Sequence, residues 1–464
     1  MSPRAEVERH PRAALALLCI ALALVQLYAF HWGVITPDSV VQYGQALSGR
    51  YDDWHPPVTA WLWRQLLRLG PGGAPFLLLD VALYWGAIGL IADSLRARHG
   101  WRAAVLPILL ALLPIPFGQV GAILKDPLMA CLMLMAAALL VRRAAGGPAW
   151  LAAVAVPLIL IAAATRINAL FAALPLLLLV LPARWTASPL RLSAAATASL
   201  ALLLASNWAI NEAMLRPSHS HPLYSLINFD LAGIVAQGGG NGYPGLSDAQ
   251  ARAATAHCYT PRLYGGGDEP GCTMAEDSLA EHVSRTGDSP IGIWLNAVIA
   301  SPAAYARHRL AHLDWNWRFL LREVPGDAVY LMSQPNELGL RFTPNGATRT
   351  IVKASMWLAW SPLGRPATWL AVALGLMIAA PGLPSRRIVA ALAASALCYG
   401  GAYALISVAP DLRYNLWTML AVLVGLAIAL PERAALGAGR RLVAVAPAIA
   451  AMLMETMALL GVSG

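Results

Sequence analysis

Only 12% of this 464-residue chain is charged, so the few ionisable side chains beside its apolar blocks carry most of its chemical information. Five places hold them. Asp38 lies in Thr36-Pro37-Asp38-Ser39, and Asp52, Asp53 and His55 lie in Asp52-Asp53-Trp54-His55-Pro56-Pro57. Lys125 and Asp126 open one apolar block, Arg166 and Asn168 separate two others, and Arg413 and Tyr414 open a late one. Carboxylates are suited to general-base work on a hydroxyl. Lys and Arg pair with phosphate, Arg as a planar two-pronged donor, and cations beside a departing phosphate stabilise the charge that develops on it. Each residue also has a plainer reading. Asp38 can cap a helix starting at Ser39, Asp52 and Asp53 can be solvated loop carboxylates, and His55 can order the turn before two prolines. Lys125 can snorkel to an interface, and Arg166 and Arg413 can satisfy helix carbonyls or a structural ion pair. Arg307, His308 and Arg309 read as a solvated helix face.

The elements that must hold these residues are set by hydropathy. The chain is 58% hydrophobic, with a mean hydropathy of +0.59, whereas soluble domains carry about 25% charged residues. Apolar residues fall in blocks at 13–30, 74–92, 103–124, 127–141, 148–164, 167–183, 192–210, 366–382, 388–409, 414–430 and 442–462. Several exceed the roughly 18 apolar residues that mark a spanning helix. The fold class that follows is an all-α polytopic membrane protein. A soluble enzyme, a disordered chain and a single-pass receptor are excluded.

The net charge of +9 is mostly topological. Arginines cluster at 4–12, 96–102, 142–143, 184–191, 386–387 and 433–441, as the positive-inside tendency requires of cytoplasmic segments. No DNA-reading helix or RNA-binding signature accompanies them, so nucleic acid is not a partner. Placing every cluster in the cytoplasm predicts eleven spans: 13–30, 74–95, 103–118, 126–142, 148–164, 167–183, 190–212, 365–382, 387–408, 412–430 and 441–461. The N-terminus is then inside and the C-terminus outside. The first block is long and lacks a small-residue cleavage site after it, unlike a cleaved signal peptide. The organisation is a transmembrane module over 1–212 whose first external loop is 31–73, an external region over 213–364, and a second transmembrane module over 365–464. All five places named above fall on the outer face, against the positive-inside tendency, which makes one shared site the economical reading. Stretches 56–69 and 350–361 are short enough to be re-entrant or interfacial. Cys258 and Cys272 lie in the external region, where two cysteines suggest a disulfide clamping a loop. Cys19, Cys131 and Cys398 fall within spans as small buried residues. No C-x-x-C, H-E-x-x-H, P-loop or strand-to-helix G-x-G-x-x-G motif is present. A divalent metal could sit beside Asp38, Asp52 and Asp53, but none is required.

Taken in order along the chain, these motifs resemble the GT-C superfamily of integral-membrane glycosyltransferases, especially bacterial members that use polyprenyl-phosphate-linked sugars. The resemblance rests on the acidic first loop, on Lys125-Asp126-Pro127-Leu128 and Thr165-Arg166-Ile167-Asn168, and on Asp411-Leu412-Arg413-Tyr414 opening a late span. The segment Ser301–Arg309 also looks like an external helix of such proteins. The resemblance implies a periplasmic active site in an inner-membrane protein. A sugar would pass, with inversion, from a polyprenyl-phosphate donor to a hydroxyl of a glycan, lipid or protein. It assigns the base to Asp38, the donor phosphate to Lys125, Arg166 and Arg413, and the cavity wall or acceptor orientation to His55. Ser39 stands where protein mannosyltransferase relatives carry a second acidic residue. The second carboxylate is then Asp52 or Asp53, and Asp53 shares candidacy for the base. Asn168 and Tyr414 complete the candidate cavity. The family's external C-terminal domain is replaced by region 213–364. The rival reading is a transporter or flippase for a lipid-linked or anionic solute, which would want polar residues near the membrane midplane.

Overall fold

The computed structural model describes residues 11–265, 270–323, 329 and 335–461. Among them every regular element is helical, and extended pairing is confined to isolated bridges. The first half runs α1 (Pro11–Ala29), α2 (Pro37–Ser48), α3 (Pro57–Leu66), α4 (Ala74–His99), α5 (Trp101–Ala111), α6 (Pro114–Gln119), α7 (Lys125–Ala144), α8 (Trp150–Thr165), α9 (Ala169–Val180) and α10 (Pro189–Trp208). Region 213–364 contributes α11 (Leu223–Ala236), α12 (Asp248–Cys258), α13 (Pro270–Thr286), α14 (Pro290–Ala300), α15 (Pro302–Trp317) and α16 (Gly346–Ala359). The chain then closes with α17 (Pro366–Ala379), α18 (Arg386–Ala402), α19 (Leu416–Glu432) and α20 (Ala438–Leu459).

Every predicted apolar stretch contains a helix. Six described helices are long and apolar enough to cross a membrane: α1, α4, α7, α10 with its extension to Met214, α19 with its flanking turns, and α20. α5, α8, α9 and α17 are apolar but shorter. Proline accounts for part of this. Leu112 and Leu113 break the predicted third span ahead of Pro114, and a proline needs no amide partner only in a helix's first turn. α7 and α19 are the central helices, each with 78% of its apolar window buried, whereas only 11% is buried in α20 and 17% in α10. The outer helices therefore turn their apolar faces outward, as lipid contact requires. Exposed Trp150 and Trp185 lie near one set of helix ends and Trp32, Trp208, Trp357 and Trp360 near the other, a distribution that suits two interfacial aromatic belts.

Two apolar cores are present. One runs through the spanning helices and takes in Tyr43, Trp63, Leu340, Phe342 and Ala359. The other is formed by α11–α15, around Ile227, Leu231, Ile234, Tyr243 and Leu279. Region 213–364 is therefore not one packing unit. Its last helix, α16, packs on α6 and α1, because its apolar stripe (Val352, Met356, Ala359) matches the membrane core. Trp357 and Trp360 remain exposed, in keeping with an interfacial position for 350–361. Cys258 and Cys272 are bonded, with Cα atoms 5.6 Å apart. Cys19 and Cys131 are buried, and Cys398 is exposed on its helix. α15 closes on α11 only because residue 233 is glycine; a Cβ there would collide with the His308 ring.

Candidate functional site

The first loop is held against the approach to α7. Val34 and Ala122 form a parallel bridge, with Val34 N donating to Gly121 O (2.9 Å) and Ile123 N to Val34 O (2.9 Å). Ser39 Oγ then donates to Ile123 O at 2.6 Å. α2 thus starts beside α7, which puts Asp38 next to Lys125. The cap of α2 is Thr36, through a reciprocal box with Ser39. The plainer reading of Asp38 as N-cap fails for that reason: the threonine hydroxyl already takes the amide, and the Asp38 carboxylate is left to face outward.

That carboxylate meets Arg413 Nη2 at 3.1 Å, and its other oxygen lies 3.9 Å from His55 Nε2. Lys125 Nζ donates to His55 Nδ1 at 2.7 Å. An ammonium only donates, so Nδ1 is the acceptor and the ring proton sits on Nε2, facing Asp38. Burial, with Lys125 beside it, pushes the His55 pKa down to about 4, leaving the ring neutral. Burial opposes ionisation of Asp38, but Arg413, His55 and Lys125 outweigh it and hold the carboxyl below its usual range. Arg166 pairs with Asp126, and Arg413 Nε lies 3.8 Å from the other Asp126 oxygen. Arg413 also reaches Asp411 at 2.8 Å. The Arg166 guanidinium stacks 3.9 Å from the Tyr414 ring centroid, and Tyr403 stacks parallel to Tyr414 while donating to its carbonyl at 2.9 Å.

Three cations and three carboxylates therefore form one cluster. Of the sequence candidates, Asp38, His55, Lys125, Arg166, Arg413 and Tyr414 come together. Asp52 and Asp53 do not join the ion pairs of Asp38. Asp52 Oδ1 accepts from Trp54 N at 3.0 Å, and Asp53 takes the Ser220 amide at 2.5 Å and His219 at 3.0 Å. The reason is a backbone bridge between Asp52 and Ser218, which turns the Asp53 carboxylate toward segment 218–220. The second carboxylate of the cluster is Asp126, which was visible beside Lys125 but given no role in the sequence reading. Asn168 is buried and donates to Ile406 O at 3.1 Å, so it anchors segment 403–411 behind Arg413 instead of lining a cavity.

Two positioning groups were missed, Asn211 with no sequence signal and His308–Arg309 read as a solvated face. Asn211 lies in a π-helical extension of α10, Ala209–Met214, a geometry common at functional sites. Its side chain accepts from Val58 N (3.1 Å) at the start of α3 and donates to Ala164 O (2.8 Å) at the end of α8. It thus joins the supports of His55 and Arg166. The second group is on α15. His308 is fully buried and Arg309 nearly so, which overturns their reading as a solvated face; only Arg307 is exposed there, donating to Gln237 O at 2.7 Å. Asp230 of α11 accepts from Trp294 Nε1 (2.8 Å), contacts His308 Nε2 (2.9 Å), and pairs with Arg309 (2.5 Å). Arg309 also donates to Ser407 O at 2.8 Å, tying the α11–α15 core to the segment that leads into Arg413.

No family model matches the chain, and no curated protein matches it. Among solved structures, one similar chain is the Archaeoglobus fulgidus oligosaccharyltransferase tethered to an acceptor peptide containing the NVT sequon. It is 14% identical, with a TM-score of 0.38 over 98% of this chain and 56% of that one. Another is the archaeal oligosaccharyltransferase AglB from Archaeoglobus fulgidus with an inhibitory peptide and a dolichol-phosphate, at 14% identity, a TM-score of 0.37 and the same coverages of 98% and 56%. The chain spans about half the length of these structures.

Proposed function

We propose that the protein is a membrane glycosyltransferase that moves a sugar from a polyprenyl-phosphate donor to an acceptor hydroxyl at its outer face. The observation that carries this reading is the Asp38 carboxylate set among Arg413, His55–Lys125 and Arg166–Asp126 at one end of the apolar helices. Of Asp38 and Asp126, the two carboxylates beside Lys125, Asp38 is the better base. Its side chain is 29% exposed, whereas that of Asp126 is 1% exposed and held by Arg166.

In this mechanism the donor phosphate is drawn to Lys125, Arg166 and Arg413, while its lipid tail stays in the bilayer. A phosphate taking Arg413 would withdraw the cation that depresses Asp38, so donor binding would raise the basicity of the group that acts next. Asp38 accepts the acceptor's hydroxyl proton as that oxygen bonds to the anomeric carbon. The bond from that carbon to the phosphate oxygen breaks, and polyprenyl phosphate leaves with its charge met by the cations. One direct displacement inverts the anomeric centre. His55 is neutral and fixed as one tautomer, which suits orientation of Asp38 better than proton transfer.

Placement of the charges supports an enzyme over a transporter. The clustered groups sit at helix ends, whereas alternating access is served by polar residues at mid-depth. Purified protein given a polyprenyl-phosphate sugar and a hydroxyl acceptor should release polyprenyl phosphate. Asp38→Asn should cut that rate by about 10²–10⁴, the usual worth of a general base, with an unchanged melting temperature. Full turnover in the variant would remove Asp38 from the base role.

A further inference from the structure

On the opposite side from the cluster, α8, α9 and α10 border a groove of about 820 Å³, within the ~300–1,000 Å³ usual for ligand sites. Its walls are apolar: Val156, Leu177, Val180, Ala195, Ala198 and Leu202. Its one charged rim is formed by Arg184 and Arg191, with Trp185 beside them. Arg143 and Arg387 stand on the same turn, donating to Val180 O (3.0 Å) and Leu181 O (2.9 Å). Those two cap the C-terminal carbonyls of α9, which is a sufficient structural task for them. Arg191 makes one such bond, to Arg184 O at 3.1 Å. Among the described residues, no carboxylate forms an ion pair with any of the four.

The dimensions suit one kind of occupant. From Arg191 to Leu202 the groove follows α10 for about 16 Å at ~1.5 Å per residue, half of the roughly 30 Å hydrocarbon layer. A ligand there has a charged end at the arginine-rich boundary and an apolar body one leaflet deep. The comparable groove between α1 and α4 differs: its Arg12 faces Asp93 at 3.4 Å, so its charge is met within the protein. Basic pockets between membrane helices on the cytoplasmic side are suited to anionic headgroups.

We infer that the α8–α10 groove is a binding site for an anionic phospholipid of the leaflet that contacts the arginine-rich face, its phosphate held by Arg184 and Arg191 and one acyl chain lying along α10. The site is independent of the sugar-transfer reading and lies on the other membrane side.

The test uses the full chain in vesicles of phosphatidylglycerol and phosphatidylcholine in equal amounts, extracted gently and read by native mass spectrometry. The wild-type protein should retain phosphatidylglycerol in preference to phosphatidylcholine. Arg184→Gln with Arg191→Gln should reduce that preference about thirtyfold, from roughly 1 kcal/mol per basic residue near a lipid surface. Arg12→Gln should leave it intact. Ala198→Trp fills the groove while keeping both arginines, and should also release the lipid. Equal retention of the two lipids, or unchanged retention in Ala198→Trp, would overturn the site. So would a dimer that Ala198→Trp dissociates, since the groove would then hold a second copy.

Discussion

Asp38 and Arg413 are separated by 375 positions in sequence and by 3.1 Å in space. Their contact has a consequence that pH can read. Arg413 favours the ionised carboxyl, so the folded protein keeps Asp38 charged below the usual carboxylate range. Activity that needs this base is present above its depressed pKa and is lost only as the pH falls through it. Arg413→Gln removes the favouring charge, and burial then dominates and raises the carboxyl. The acidic limb of the kcat/KM profile should therefore move to higher pH, in addition to a higher KM for the donor. A limb that stays in place while the rate falls would mean that Arg413 serves the phosphate alone. His55 and Asp53, both candidates by type, separate cleanly at this scale: the first faces Asp38, the second faces His219 and Ser220.

At the scale of elements, the site is assembled by caps and loop bridges more than by helix faces. The Thr36–Ser39 box starts α2, Ser39 pins that start to the loop before α7, and Gly49 ends it in a left-handed conformation at φ 72°. Asn211 performs the same office for α3 and α8. Asn211→Ala leaves the Val58 amide and the Ala164 carbonyl without this partner, at about 1–3 kcal/mol for each unsatisfied buried group. The variant should melt lower and turn over more slowly, because the supports of His55 and Arg166 are loosened together. A lower melting temperature with an unchanged rate per folded molecule would restrict Asn211 to stability. The sequence reading offered Asp38 as the cap of α2, whereas Thr36, one residue ahead of Pro37, takes that place. The π-helical turn at Ala209–Met214 was not legible in the sequence, because its residues are ordinary helix formers.

In the whole molecule, a buried polar seam joins the α11–α15 core to the membrane module through Asp230, His308, Arg309 and Ser407. His312 lies in the same interior, its Nδ1–H donating to Pro261 O at 2.8 Å and its ring packing edge-on to Phe229. Burial pushes its pKa from the usual 6.5 down to about 4, with Arg309 and His308 adding to the effect. Burial likewise lowers His308. The unfolded chain therefore takes up protons that the folded one refuses. Stability is fully present above pH 6.5, falls as the pH drops toward 4, and levels off below it. Each such histidine contributes a slope of up to about 1.4 kcal/mol per pH unit. His312→Phe should flatten the fall in melting temperature over that window by one proton's worth. A pH profile identical to the wild type would show that this ring is charged or solvated in the folded protein.

Length and hydropathy were sufficient for the membrane and for the helical class, because these depend on local composition. Lys125, Arg166 and Arg413 were legible since each is an isolated cation at the edge of an apolar block, apart from the arginine clusters. Local patterns could not choose between Asp52, Asp53 and Asp126 as the companion of Asp38, nor reveal that His308 and Arg309 are covered. Those outcomes depend on which helices pack together: α7 and α19 at the centre bring residues 126 and 413 to one place, and α11 closing on α15 at Gly233 removes a polar face from water. Charge scarcity in the sequence marked the residues worth following. Long-range packing decided which of them meet.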